Sequence, residues 1–236
     1  MLYYDFHIHS ALSPCGDKDM TPNNIVNMAA LSGLNAIALS DHNTVGNVRA
    51  AMAVGRACGV SVVPAMEVET AEEVHVLTLY PSIDAAEEAA AVVYKSLPDI
   101  KNRPDIFGEQ LFMDEDDNVT GYEEKLLISP TSLSFDALFD LVKSVGGIFV
   151  PAHVDRHSYS VLTNLGFIPD NLDIKCIEVS KATEDLDAYL AARTELKKYS
   201  IFRNSDAHYL ADIAYAEAYL ECDSVSDIFR TKGCHL

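Results

Sequence analysis

Seven short apolar runs alternate with helical patterns along the chain, and this alternation limits the folds open to it. The runs cover 2–9, 35–42, 60–67, 74–80, 146–153, 173–180 and 200–208. Between most of them stand helix starts: Thr21 before Pro22, Ser134 before Phe135 and Thr183 before Glu184. A side-chain oxygen at such a position caps a free N–H of the first turn, and proline fits that turn because it has no N–H to leave unpaired. Strands alternating with helices predict parallel β/α units. A length of 236 residues suits a single barrel-sized domain spanning 1–236. The stretch 97–130 breaks the alternation: it is rich in acids, with turn signals at Asp117-Asn118 and Thr120-Gly121. It reads as an inserted hairpin beside the barrel rather than a second domain.

In a β/α barrel the interior is packed, and chemistry gathers where strands finish. The first run ends DFHIHS, with His7 and His9 two residues apart. Residues i and i+2 of a strand point to the same face roughly 7 Å apart, close enough to grip one ion. Asp41, His42, Glu67, His153, Asp206 and His208 sit at or beyond other strand ends, and Asp17 lies in the loop after the first. His75 stands early in its run, so its strand enters the site from the other direction or follows a tight hairpin from Glu67. Six of the chain's 8 histidines belong to this set. Imidazoles and carboxylates without a thiolate suit Zn²⁺, Mn²⁺ or Fe²⁺. Crowding so many titratable groups together is costly unless metal binds.

The formal net charge is -19, from 36 acidic and 17 basic residues. Such a surface repels a phosphate backbone, which disfavours long nucleic acid as a partner. An acidic protein that handles phosphate needs cations to do so. The 5 cysteines, at 15, 58, 176, 222 and 234, show no C-x-x-C spacing and read as reduced thiols. Cys15 reads as a turn residue, with contact to a metal or redox sensing as the alternatives, and Cys234 as part of a solvated terminus. The chain has no basic segment leading into an apolar leader and no run of the roughly 18 to 20 apolar residues that a membrane span needs, so a soluble, cytoplasmic protein is expected.

HIHS, then SDHNT, then Glu67 followed by His75, then the Ala152-His153 pair, then SDAH at 205–208, in that order, resemble the motifs of the PHP family of polymerase and histidinol phosphatase-like metal-dependent phosphoesterases. The resemblance spans 5–208. It implies a distorted seven-stranded barrel, a (β/α)7 TIM-like variant, holding two or three divalent ions. One ion would rest on His7, His9, Glu67 and Asp206, and a second on Glu67, His75 and His153, with Glu67 as the bridge. A third would sit between Asp17, His42 and His208, with Asp19 as the rival to Asp17. Asp41 would orient a ligand without binding an ion. The catalytic load would fall on His7, His9, Glu67, Asp206 and His208. The implied reaction is hydrolysis of a phosphate ester of a small metabolite or nucleotide by a metal-bound hydroxide.

Ser10 and Ser40 read as turn groups or as supports behind the ligands, and Glu178 as a barrel-rim residue or such a support. Arg156, His157 and Lys181 lie just beyond strand ends and are candidates to meet substrate phosphate. Other functions compatible with the same ligands are amidohydrolase-like cleavage of C–N bonds, nuclease action on nucleic acid ends, and a metal-binding module without catalysis. No residue pattern selects among the three metals or sets an oligomeric state.

Overall fold

The computed structural model describes residues 1–230, and Cys234 lies outside the described residues. In chain order the first half comprises β1 (Leu2–Ile8), α1 (Pro22–Leu31), β2 (Ala36–Leu39), α2 (Val48–Cys58), β3 (Ser61–Glu69), β4 (His75–Leu79) and α3 (Ile83–Ser96). There follow α4 (Pro104–Phe107), β5 (Leu111–Met113), β6 (Val119–Tyr122), α5 (Phe135–Ser144), β7 (Ile148–Pro151) and α6 (Val161–Asn164). The chain continues through β8 (Cys176–Glu178), α7 (Leu186–Ala192), β9 (Ser200–Phe202), β10 (Tyr219–Leu220) and α8 (Val225–Arg230).

One curled sheet has the order β10-β1-β2-β3-β4-β7, and β8 with β9 forms a separate parallel pair. Each of the seven apolar runs contributes a strand (β1, β2, β3, β4, β7, β8 and β9), in a mixed α/β fold with a half-barrel sheet. Two expectations need correcting. The seven strands do not share a single hydrogen-bonded sheet, and the units are not all parallel, because β4 runs antiparallel to both β3 and β7. The link from Thr70 to Val74 is too short for the helical crossover that a parallel neighbour requires.

Loop bonds complete the curl. Val154 N–H donates to the Glu178 carbonyl at 2.9 Å, tying β8 to the end of β7. His9 N–H donates to Ala207 O at 2.9 Å and Ala207 N–H to His7 O at 3.2 Å, laying the segment after β9 along β1.

Two apolar layers hold the strands. Tyr4, Phe6, Ala38, Ala65, Leu77, Val150 and Phe202 fill the inside of the curl. Ile37, Leu39, Met66, Val68 and Val76 face outward onto the helices, where Ile25, Val26 and Ala29 of α1 and Leu138, Phe139 and Val142 of α5 cover them. The sequence signals set these helices: Thr21 Oγ1 accepts from Asn24 N–H at 3.2 Å and Ser134 Oγ from Ala137 N–H at 3.2 Å. Thr183 does not open α7. Its hydroxyl donates to Asp155 at 2.7 Å, and Asp185 caps the helix instead.

Within 97–130, β5 and β6 pair antiparallel. The segment docks on the loop after β2 through Asn47, whose side chain donates to Leu111 O at 3.0 Å and accepts from Met113 N–H at 2.9 Å. Asn43 adds a bond to Leu127 O at 2.7 Å. No helix among the described residues is long and apolar enough to cross a membrane.

Candidate metal centre

The strand ends converge on Glu67. His7 Nε2 lies 3.3 Å from its Oε1, His75 Nδ1 3.0 Å and His153 Nε2 3.2 Å, while His9 Nε2 lies 3.4 Å and His42 Nδ1 3.3 Å from its Oε2. Asp206 Oδ1 stands 3.2 Å from His9 and 3.4 Å from His7.

Local features of the strands bring these groups together. A register shift between Asp5 and Ile8 breaks the alternation of β1, with Tyr4 and Phe6 in the inner apolar layer and Ile8 in the outer one. A bulge of this kind re-aims side chains, and here it turns His7 and His9 inward above the inner core. In the β3–β4 hairpin Glu69 faces His75, which puts His75 diagonal to Glu67 and within reach of it. His153 and Asp206 have φ of 30° and 54°, a region that non-glycine residues rarely occupy. Strain of this sort persists where surrounding structure imposes it, and both residues point at Glu67 or its histidines.

Hydrogen bonding settles which ring nitrogens are free. His7 Nδ1 meets the two Glu178 oxygens at 3.0 and 3.2 Å and therefore donates to that carboxylate, leaving Nε2 to face Glu67 and Asp206. Against burial, the Glu178, Glu67 and Asp206 carboxylates raise its pKa well above the ordinary value in the metal-free protein, so a metal would take the place of the Nε2 proton. Ser13 Oγ gives its proton to Asp41 Oδ1 at 2.7 Å, so His9 Nδ1, 3.1 Å from the same oxygen, must be the donor. His208 Nδ1 donates to the Asp206 carbonyl at 2.8 Å. In all three rings Nε2 is the nitrogen that faces the cluster. His7 Nε2 and His42 Nδ1 are buried and have no hydrogen-bond partner. Such atoms are rare in a folded protein unless a ligand satisfies them, and an acceptor nitrogen beside a carboxylate is satisfied by a cation. The residues thus fit divalent metal.

Charge follows the same pattern. Desolvation holds His42 well below its ordinary pKa and takes His208 down to about 4, so both are neutral lone-pair donors at neutral pH. In the metal-free protein desolvation opposes protonation of His75, but the Glu67 carboxylate prevails and raises it to about 9. Against burial, chiefly the charge of His75 keeps Glu67 well below the usual carboxylate range. A histidine raised in this way stabilises the fold fully below its unfolded pKa of about 6.5, and the contribution is lost as pH rises through about 9. Metal-stripped protein is therefore expected to lose on the order of 2 kcal/mol of stability from about pH 6.5 to about pH 9.5 in denaturant titrations. Unchanged stability over that window would exclude the His75–Glu67 ion pair.

Three groups of side chains have ligand atoms mutually within 4.8 Å: His7, His9, Glu67 and Asp206; His42, Glu67 and His75; and His9, Cys15, His42 and His208. His153, which meets Glu67 alone, is in none of them, and neither is Asp17. Its Oδ1 accepts from Asp19 N–H at 2.9 Å, and the half-exposed residue lines a neighbouring cavity with Lys18. Asp19 is exposed. Asp41 is fully buried and accepts from Ser10 N–H and Oγ at 2.7 and 2.6 Å as well as from Ser13, which places it behind His9.

A cleft of about 230 Å³ opens over the cluster and is flanked by Arg156, Tyr159 and Ile128. Arg156 Nη1 lies 2.6 Å from Asp206 Oδ2. Neither His157 nor Lys181 lines this cleft. A larger cavity of about 340 Å³, beside Phe139, Phe149 and Phe229, holds none of these ligand groups.

The model of the PHP domain matches residues 5–164, more than half of the chain. The chain belongs to the PHP domain family. Members of this family are metal-dependent hydrolases and phosphoesterases. No curated protein matches the chain in sequence. Among solved structures, this PHP-domain protein is similar to a lesion-specific endonuclease from Pyrococcus furiosus (TM-score 0.71, 18% identity, 96% of this chain and 54% of that one). A protein from Bifidobacterium adolescentis assigned as a metal-dependent phosphoesterase gives a TM-score of 0.59 at 18% identity, covering 97% of this chain and 94% of that one. An amidohydrolase from Chromobacterium violaceum with bound sulfate gives 0.62 at 18% identity over 98% and 96%. The PHP-domain chain spans about half the length of the endonuclease.

From the sequence Glu178 reads as a rim residue of the PHP-type barrel or as a support behind the ligands. The structure buries it behind the ligands, where its carboxylate accepts from His7, from His153 N–H at 3.1 Å and from Asn204 Nδ2 at 2.7 Å. A carboxylate that orients a ligating imidazole sets its tautomer and basicity. Glu178→Gln is expected to weaken metal binding by roughly 10- to 100-fold, read by competition with a chelating indicator. Unaltered affinity would reduce Glu178 to a packing role.

Proposed function

We propose that the protein is a metal-dependent phosphoesterase that hydrolyses a phosphate ester of a small metabolite or nucleotide at a centre of two or three divalent ions, Zn²⁺, Mn²⁺ or Fe²⁺. The observation that carries this reading is the buried Glu67 carboxylate, with five imidazole nitrogens at 3.0–3.4 Å. A carboxylate with two oxygens is suited to bridging a pair of ions, and the surrounding rings supply the neutral nitrogen donors that such ions take. Ions held there lower the pKa of a bound water and offset phosphoryl charge.

The protein's own residues do the positioning. His7, His9, Glu67 and Asp206 would hold one ion; Glu67, His75 and His153 a second. Glu178 orients His7 through Nδ1, and Asp41 orients His9 through Ser13. The Arg156 guanidinium stands at the cleft beside Asp206, where it would pair with a phosphate oxygen. A cleft of about 230 Å³ suits a compact phosphoryl group with a small alcohol or the end of a nucleotide. Catalysis then rests on pre-positioned charge rather than on a protein nucleophile.

The test is phosphate release from a panel of sugar phosphates, amino-alcohol phosphates and mononucleotides, with protein reconstituted in turn with Mn²⁺, Zn²⁺ and Fe²⁺. Metal-dependent release from any of them supports the reading and names the substrate class. Fully loaded protein that is silent on the panel yet cleaves a C–N substrate or a nucleic acid end would replace it.

A further inference from the structure

We infer that Cys15 supplies a thiolate ligand to a further ion, completing with His42 and His208 a site that Asp17 does not serve. This inference rests on reading the cluster as a metal centre.

The Cys15 sulfur lies with nitrogens of His9, His42 and His208, all within 4.8 Å of one another. His9 is already committed: its Nδ1 donates to Ser13, and its Nε2 sits 3.2 Å from Asp206 and 3.4 Å from Glu67. One imidazole nitrogen serves one ion, so His9 belongs to the ion held by His7, Glu67 and Asp206. The remaining donors are Cys15, His42 and His208. His208 Nδ1 donates to the Asp206 carbonyl, leaving Nε2 as an acceptor, and the ring stacks on His9 with centroids 4.4 Å apart. His42 is 6% exposed, and its Nδ1, which also lies 3.3 Å from Glu67 Oε2, has no hydrogen-bond partner.

The loop explains why the cysteine and not the aspartate reaches the site. Ser13 N–H donates to Ser10 O and Gly16 N–H to Ser13 O, folding residues 10–16 back on themselves. A side chain at Gly16 would run into the Ser10 carbonyl, so this turn depends on glycine. Cys15 thereby borders both the catalytic cleft and the cavity beside it. Asp17 N–H is tied to His208 O at 2.9 Å while its carboxylate accepts from Asp19 N–H, so the backbone passes the site with the carboxylate engaged elsewhere.

Three protein donors leave one position of a tetrahedral ion open, the arrangement of catalytic rather than structural zinc. On binding, the sulfur–metal bond forms and the thiol proton leaves to solvent. A thiolate carries the charge that an aspartate would have carried, but it is a softer donor, and it selects Zn²⁺ or Fe²⁺ over Mn²⁺.

The test uses Co²⁺ alone as the probe, with full-length protein and independently of any hydrolysis. Loaded wild-type protein is expected to show a near-ultraviolet sulfur-to-cobalt charge-transfer band. Cys15→Ser should lose the band and bind one ion fewer, whereas Asp17→Ala should keep both the band and the ion count. Cys15→Asp should restore the ion without the band and shift preference toward Mn²⁺. A band that survives in Cys15→Ser, or an ion lost in Asp17→Ala but not in Cys15→Ser, would overturn the assignment. So would wild-type protein that binds Co²⁺ at every site without the band. Wild-type protein that binds no Co²⁺ would overturn the metal-centre reading itself, and the assignment with it.

Discussion

Glu67→Gln protein is expected to fold as the wild type does and to release phosphate roughly a thousandfold more slowly, a loss of the size seen when one charge-stabilising group is taken from a preorganised site. The substitution keeps the shape of the side chain and removes its charge. The five imidazoles that meet Glu67 at 3.0–3.4 Å would then face an amide, which offers a single weak oxygen donor and no charge to hold two ions together. Elemental analysis should show fewer ions per chain, and circular dichroism an unchanged fold. A variant with full ion content and near-normal turnover would show that Glu67 does not bridge the centre.

His9→Ala and Asp206→Ala form the second test with a large effect, since each removes a side chain that meets the same position from β1 or from the segment after β9. The two groups are 3.2 Å apart. Loss of either is expected to reduce metal content and to abolish hydrolysis with the fold intact. In Asp206→Ala the Arg156 guanidinium also loses its ion pair, so binding of inorganic phosphate should change as well. Wild-type turnover in either variant, with ion content measured in parallel, would remove that residue from the site.

Much of the centre was legible because its residues obey local spacing. His7 and His9 stand two apart at the end of the first strand, and the alternation of side chains predicts a shared face. Asp206 and His208 carry the same spacing, but they lie beyond β9, where Asp206 has φ of 54° and the two residues join different ligand groups. The position of His75 early in its run was legible too: a short link after Glu67 implies a hairpin, and β4 does turn back on β3.

What escaped depended on tertiary geometry. Which loop residue reaches His42 and His208 is decided by the fold of residues 10–16 against the Ser10 carbonyl: counting along the chain favours Asp17 and leaves Cys15 as a turn residue that could also touch a metal, and it is the Cys15 sulfur that approaches. Glu178 meets His7 across 171 positions of sequence, a contact with no local signature. Strand alternation suggested a parallel ring; the short link before His75 marked one exception, but nothing in the pattern showed that β8 and β9 would pair apart from the main sheet. Lys181 and His157 carried the right charge for a phosphate at the right chain positions, but nothing in the sequence reported that only Arg156 of the three borders the cleft.

The most direct measurement is phosphate release as chelator-stripped protein takes up metal, plotted against the number of ions bound per chain. The expected result is no release from stripped protein and a rise to full rate once the ions that share Glu67 are in place. Release that proceeds undiminished without metal, or a rate indifferent to the number of ions bound, would contradict the account.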